Sequence, residues 1–363
     1  VQRAASPIDR LRQWASGAAL FFTGRVSFSR AKFLPGKFRV LSFYLLTEIS
    51  DPAKEVEAHK TWCKAHSLTG RVWISEKGIN AHVCGTSADC KSYANFAALR
   101  LVPGQRLRCK LDGATERVVE TLRVKVKELV TLGQEQENAF DLQHRGEDLE
   151  PQEWAKRLEE LAHRRSGRLL DIRSPYEWDV GHFEGAERPE CETFAEMTPE
   201  TLGLSDANKE EPVMIYCTGG IRCEFVGAML KKEGFQDVCK LRGGVQHYGN
   251  SLGARHWDGR LFVFDRRDSI AVGKYDEASV VGRCHVCGKP CEDVWNCHNY
   301  ECNRTMVACE QCMQSMKGCC CADCQASSSI RPFEADRRRG RGPGRFLPAT
   351  EVETQARQRL AEM

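Results

Sequence analysis

With 363 residues, 41% of them hydrophobic, the chain holds enough apolar material for two or three domains. A formal net charge of +3 says little by itself, and no apolar run approaches the ~18 residues of a membrane span, so a transmembrane role is excluded at this level. Eleven of the 19 cysteines fall between Cys284 and Cys324. Clustered thiols in a long chain without a secretory apolar segment read as metal ligands in a reducing compartment, not as disulfides.

Residues 1–36 are rich in Arg, Ser and Ala, and residues 1–39 set eight basic side chains against Asp9. Such a segment has the composition of an organellar leader or of a basic arm. It points to a chloroplast or other organelle, with the cytoplasm as the alternative. Residues 37–132 read as β, α, β, β, α, β. Phe38–Glu48 forms a strand, and Asp51 and Pro52 open a helix towards His66. Strands over Gly70–Ser75 and Ile79–Cys84, a helix over Ala88–Leu99 and strands over Arg106–Leu111 and Leu122–Leu129 follow. That order is ferredoxin-like, an α+β arrangement that hosts many functions. The acidic, glycine-containing stretch 133–150 reads as a linker.

From Pro151 to about 260 strands and helices alternate. Trp154, Leu158, Leu161 and Ala162 share one helix face. Strands over Arg168–Ile172, Val213–Tyr216 and Val238–Leu241, with a helix over Arg222–Glu233 stopped by Gly234, predict a parallel α/β sheet. Residues 261–281 read as a connector, 282–326 as a small Cys-rich zinc module, and 327–363 as a disordered Arg-rich tail.

The sharpest local signal is the run Val213–Glu224. A short apolar strand delivers Cys217 into a loop of Thr218, Gly219, Gly220 and Ile221, and a helix opens at Arg222. Inward-turned backbone N–H groups and the helix N-terminus favour a thiolate or persulfide on Cys217. A single buried cysteine is usually structural, but this strand–loop–helix context marks a nucleophile. Cys223, in the first helical turn, is explained equally by packing. The spacing Cys-x4-Arg is one residue shorter than the Cys-x5-Arg of cysteine phosphatases and fits a smaller target, such as a sulfane sulfur.

The Cys-rich segment is too poor in aliphatic residues to form its own core, so two structural zinc ions, each held by four thiolates, are the natural reading. The favoured sets are Cys284, Cys287, Cys309 and Cys312 for one ion and Cys297, Cys302, Cys320 and Cys324 for the other. Sequential pairing, an iron–sulfur cluster and a disulfide knot are the alternatives. Cys291, Cys319 and Cys321 stay unassigned.

Leu170–Arg173 with Tyr176–Ala186, the Cys217 loop and Leu241–Tyr248 resemble the signatures of rhodanese domains. Adding Gly70–Ala81, Leu122–Lys127, Leu261–Arg266 and the Cys-rich segment, the chain more fully resembles the tRNA uridine hydroxylase family over most of residues 38–326. The resemblance implies a rhodanese-like α/β domain and oxygen-dependent conversion of a wobble uridine to 5-hydroxyuridine. It also implies a catalytic cysteine at Cys217, tRNA bound by its anticodon loop, and molecular oxygen as co-substrate. Organellar plant and algal members are similar over Tyr176–Pro189.

Two other functions compete: plain sulfur transfer through a Cys217 persulfide, and a noncatalytic adaptor binding RNA or protein. No GxGxxG flavin or nicotinamide fingerprint and no His/carboxylate iron triad is visible. Lys125 and Lys127 alternate with Val124 and Val126, so both project from one strand face. With Arg337, Arg338, Arg339, Arg341 and Arg345 they are the candidate phosphate contacts; the alternative is a solvated face and an inert tail.

Overall fold

The computed structural model describes residues 25–30, 36–103, 106–141, 143–164, 166–273 and 279–333. The five tail arginines from Arg337 to Arg345 and most of the basic leader lie outside the described residues. The chain divides into two compact units, residues 1–263 with 269–279, and residues 264–268 with 280–363.

The first unit opens with β1 (Arg25–Arg30), β2 (Phe38–Leu46), α1 (Pro52–Ala65), β3 (Thr69–Ser75), β4 (Gly78–Gly85), α2 (Ser87–Leu101), β5 (Arg106–Ala114) and β6 (Leu122–Val126). The Asp51 carboxylate accepts from Lys54 N at 2.9 Å and starts α1; Thr86 does the same for α2 through Asp89 N at 3.2 Å. The sheet order β1-β5-β2-β4-β3-β6 contains the ferredoxin-like core β5-β2-β4-β3, with one parallel strand added at each edge. Period-two alternation sends Leu41, Phe43, Val72, Ile74, Ile79, Ala81, Val83, Cys109 and Leu111 to the face that packs on Trp62, Tyr93 and Phe96 of the two helices. The other face carries Ser42, Tyr44, His82, Lys110 and Asp112, and Lys110 and Asp112 are nonetheless buried.

The α/β domain follows: α3 (Gln134–Ala139), β7 (Glu147–Leu149), α4 (Pro151–Arg164), β8 (Arg168–Asp171), α5 (Pro175–Val180), β9 (Gly181–Phe183), β10 (Val213–Tyr216), α6 (Ile221–Lys232), β11 (Val238–Leu241) and α7 (Gly244–Leu252). Strands β7-β11-β10-β8 form one parallel sheet. Central β10 is buried on both faces: Val213 and Ile215 pack with Phe225, Val226 and Met229, whereas Met214 and Tyr216 pack with Trp154, Val245 and Tyr248. A three-stranded antiparallel sheet of β9, β12 (Trp257–Phe262) and β13 (Ser269–Ala271) completes the unit.

Four boundaries differ from the sequence expectation. Part of the presumed leader is strand β1, because Val26 and Phe28 pack against the first core. The presumed linker 133–150 supplies α3 and the edge strand β7; Leu132, Ala139 and Phe140 join the α/β core, and buried Gln136 donates to Phe194 O and Met197 O at 2.9 and 2.7 Å. The connector 261–281 contains β13. Residues 327–333 belong to the cysteine unit, where Arg331 N donates to His298 O at 2.9 Å and Phe333 lies against Trp295 and His298.

That second unit is a hairpin of β14 (Val294–Asn296) and β15 (Thr305–Val307) with two short helices, α8 (Glu310–Ser315) and α9 (Ala322–Ala326). No helix among the described residues is long and apolar enough to cross a membrane.

Candidate active site and cysteine clusters

Cys217 follows the last residue of β10 and is fully buried. Its carbonyl accepts from Val245 N and that of Thr218 from Gln246 N, both at 3.1 Å, so the start of α7 braces the loop. Gly220 N donates to Cys217 Sγ at 3.1 Å. The tight return needs glycine: Gly220 has φ +97°, and a Cβ there would stand 3.1 Å from the Tyr44 hydroxyl and 3.2 Å from Gly243 N.

Burial alone would push the Cys217 thiol upward. The Cys223 thiol donating to it, the Arg222 charge and the Gly220 and Gly219 N–H groups outweigh burial and bring it down to about 5. Cys223 is held well above its ordinary range by burial and by that bond, so it stays a protonated donor. Its Sγ also lies 3.9 Å from Ile215 O, a backbone acceptor inside the strand.

Arg222 does not project into the loop as a free cation. Its Nη1 and Nη2 donate to Glu177 at 2.7 and 2.9 Å, and Nη2 also reaches Thr218 Oγ1 at 3.3 Å. Thr218 Oγ1 donates to Glu177 Oε1 at 3.1 Å. Burial raises the Glu177 carboxyl, and Arg222 more than offsets this, leaving it ionised below its usual range. Glu177 is also the third residue of α5, where it accepts from Ser174 N at 3.1 Å. One carboxylate thus ties the start of α5 to the start of α6.

The ferredoxin-like domain covers the loop. Lys110 Nζ donates to Gly219 O at 2.8 Å and sits 5.6 Å over the Tyr44 ring. The Tyr44 hydroxyl donates to Glu224 Oε1 at 2.7 Å, and Gln246 Nε2 to Asp112 Oδ2 at 3.2 Å. Arg145 and Lys240 neutralise the other oxygen of Glu224 at 2.8 and 3.1 Å. Sequence reasoning assigned no role to Lys110, Tyr44 or Glu177. Glu177 entered only as part of the Tyr176–Ala186 resemblance, with nothing to mark it as the partner of Arg222.

Lys125 and Lys127 are exposed; Lys125 stands opposite Trp73 in register, and Lys127 Nζ lies 5.1 Å over the Trp73 ring. In the second unit the cysteines gather as two interleaved sets, Cys284, Cys287, Cys309 and Cys312, and Cys297, Cys302, Cys320 and Cys324. Within each set every sulfur lies within 4.8 Å of the others. Cys291, Cys319 and Cys321 stand outside both sets.

A parallel sheet that presents a low-pKa cysteine in a glycine loop at a helix start defines a rhodanese-like thiolate protein. The comparisons agree: residues 150–251 match the rhodanese-like domain, 38–130 the UPF0176 acylphosphatase-like domain, and 258–325 the rhodanese C-terminal segment. The tRNA uridine(34) hydroxylase of Protochlamydia amoebophila is 40% identical over 299 residues, covering 82% of this chain and 91% of its own. That of Chlamydia felis is 37% identical over 320 residues, covering 87% and 95%. The chain belongs to the tRNA uridine(34) hydroxylase family.

Proposed function

We propose that this protein hydroxylates C5 of the wobble uridine in the tRNA anticodon loop, with Cys217 as its nucleophile. The observation that carries the reading is an ionised Cys217 in a loop braced by both domains of the first unit, in a chain that spans nine-tenths of its hydroxylase relatives. Sulfur transfer by itself gives the ferredoxin-like domain no task, and an adaptor gives the thiolate none.

A thiolate adding to C6 of uracil makes C5 nucleophilic. Molecular oxygen, reduced to peroxide by two electrons from cellular thiols, supplies the oxygen atom. Attack of C5 on the peroxide forms the C5–O bond and breaks O–O, releasing hydroxide. Loss of the C5 proton and expulsion of the thiolate then restore the ring as 5-hydroxyuridine, and the proton and hydroxide leave as water. Because Cys217 is fully buried, a base reaches Sγ by this route only when the side chains over the loop part. The same burial favours a second reading, in which Cys217 carries a persulfide delivered by a small sulfur donor and never bonds to the base. Transfer RNA containing 5-fluorouridine separates the two: blocked elimination traps a Cys217–RNA adduct on the first route. Normal binding without an adduct, with persulfide on Cys217 in mass spectra, selects the second. Unchanged 5-hydroxyuridine in tRNA from cells whose only copy is Cys217→Ser removes the function altogether.

The RNA is best placed on the part of the first sheet's helix-free face that lies beyond the Cys217 loop. Directly paired His82, Arg71 and Arg123 form a row there, spanning three strands or ~10 Å. Trp73 and Lys125 lie in the next row, so an unstacked base has an aromatic surface with cations beside it. Lys125 and Lys127 are the phosphate contacts on this side.

Both cysteine sets fit structural zinc. Four thiolates at ~2.3 Å from one ion stand ~3.8 Å apart; Cys287–Cys309 and Cys302–Cys320 are 3.8 Å apart, and Cys320–Cys324 3.6 Å. An iron–sulfur cluster would hold its cysteines farther apart, because sulfides bridge the irons. When bound, zinc would tie the hairpin to the two short helices. The acid-poor N-terminal composition supports import into an organelle.

A further inference from the structure

Among the side chains around the loop, Lys110 is a buried cation contributed by the ferredoxin-like domain. It comes from β5, whose alternate residues Leu107, Cys109 and Leu111 face the first core, and it points the other way. Its ammonium is buried, which lowers its pKa, while the Cys217 thiolate, then Cys109 and Asp112, act to raise it. Tyr44 lies beneath it, and His247 is near enough to feel its charge. Facing Cys217 itself are Arg222, Cys223 and Lys110.

The bond from Lys110 to Gly219 O acts on the sulfur through one rigid group. Gly219 C=O and Gly220 N–H belong to the same peptide, which is planar and trans, so the two bonds point in opposite directions. The oxygen is held at 2.8 Å by Lys110 on one side, and the N–H meets Cys217 Sγ at 3.1 Å on the other. Two adjacent glycines place little steric restraint on rotation of this peptide. Without an anchor on its oxygen, it can turn the carbonyl, with its negative end, towards the thiolate.

We propose that Lys110 is a positioning residue of the active site, contributed by the ferredoxin-like domain, which fixes the Gly219–Gly220 peptide so that Gly220 N–H points at the Cys217 sulfur. The first domain therefore completes the thiolate site as well as covering it. The inference rests on loop geometry and holds whether the thiolate attacks a base or carries a persulfide.

The test is Lys110→Met in the full-length protein, with Lys110→Arg as the conservative variant. Gly219–Gly220 and Gly243–Gly244 are the two Gly–Gly pairs of the chain. Glycine labelled at its carbonyl carbon and nitrogen therefore isolates the amides of Gly220 and Gly244 by NMR. In the wild type the Gly220 amide proton titrates with Cys217, with a midpoint near 5. In Lys110→Met that midpoint rises by about one to two pH units and the Gly220 shift shrinks, as for loss of a hydrogen bond to a charged group. At pH 5.5 the thiolate fraction, read by alkylation of Cys217, falls roughly three- to twenty-fivefold. Lys110→Arg, which keeps a cation on Gly219 O, restores most of the effect, which a purely structural lysine would not require. A Lys110→Met protein that melts like the wild type and titrates near 5 overturns the proposal. Should Lys110→Met fail to fold, Lys110→Gln is read by the same two signals and the same criterion.

Discussion

Replacing Cys223 by alanine tests how the protein ionises Cys217. Besides the opposing burial, the donated Cys223 thiol is the largest influence on the sulfur, ahead of Arg222 and the two glycine amides. A hydrogen bond to a charged group contributes about 1.5–3 kcal/mol, and one pKa unit corresponds to about 1.36 kcal/mol. Cys223→Ala should therefore move the Cys217 midpoint from about 5 to roughly 6–7. At pH 6 the thiolate fraction drops from ~0.9 to between ~0.5 and ~0.1, a two- to tenfold loss. Cys223→Ser keeps a donor in place and should leave the midpoint near the wild-type value. The assay is the pH dependence of iodoacetamide alkylation, followed by mass spectrometry of the Cys217 peptide, with melting temperature as the control for the small cavity. Equal shifts in the Ala and Ser variants would mean that packing around Cys223, not its proton, sets the effect. No shift in either would refute the reasoning.

Elemental analysis should find two zinc ions per chain; Cys309→Ser should lose one of them and Cys291→Ser neither, and three-ion or iron-and-sulfide stoichiometry would contradict the ligand sets. His59 is fully buried, and burial, with Arg100, pushes its pKa down to about 3. Its folded pKa lies below the unfolded value of ~6.5, so its contribution is present above pH 6.5 and is lost progressively towards pH 3, reaching ~2 kcal/mol by pH 5. His59→Gln should flatten the fall in melting temperature between pH 6.5 and 5, and parallel curves would count against this. Replacing Lys125 and Lys127 by alanine should shallow the log–log salt dependence of tRNA binding by roughly 0.7–0.9 for each phosphate contact removed; an unchanged slope places the RNA elsewhere.

Much of the fold was legible because it rests on local periodicity. The aliphatic and aromatic run Phe38–Leu46, the Asp51 cap and the continuous apolar run Val213–Tyr216 each specify their element from a few adjacent residues. Misread segments lacked such a pattern. Residues 133–150 are acidic and contain Gly133 and Gly146, yet Ala139 and Phe140 dock on α6, a contact made with residues some eighty positions away. Cysteine spacing identified the eight ligands and favoured the two interleaved sets that the fold brings together, with sequential pairing as the alternative. The pairing follows from the β14–β15 hairpin, which folds the chain back so that His285 N meets Val307 O at 2.8 Å and the Cys284–Cys287 turn comes beside Cys309.

The active site divides along the same line. Cys217, its two glycines and the helix behind them are contiguous, so their chemistry could be read directly from thirteen or so residues of sequence. What tunes the sulfur is not contiguous. Glu177 reaches Arg222 across 45 positions and Lys110 reaches Gly219 across 109. In sequence Arg222 marked the helix start and the Cys-x4-Arg spacing; in the fold its two nitrogens are engaged by Glu177, and it acts on Cys217 as a fixed charge in the loop wall. Lys110 drew no reading of its own within the strand Arg106–Leu111, because alternation reports which face a side chain takes and not what covers that face. A buried lysine is tolerated only where its charge is answered. Here the answering groups are a loop carbonyl, Asp112 and the thiolate itself, so the residue least expected from the strand pattern is the one whose burial depends on the chemistry of the site.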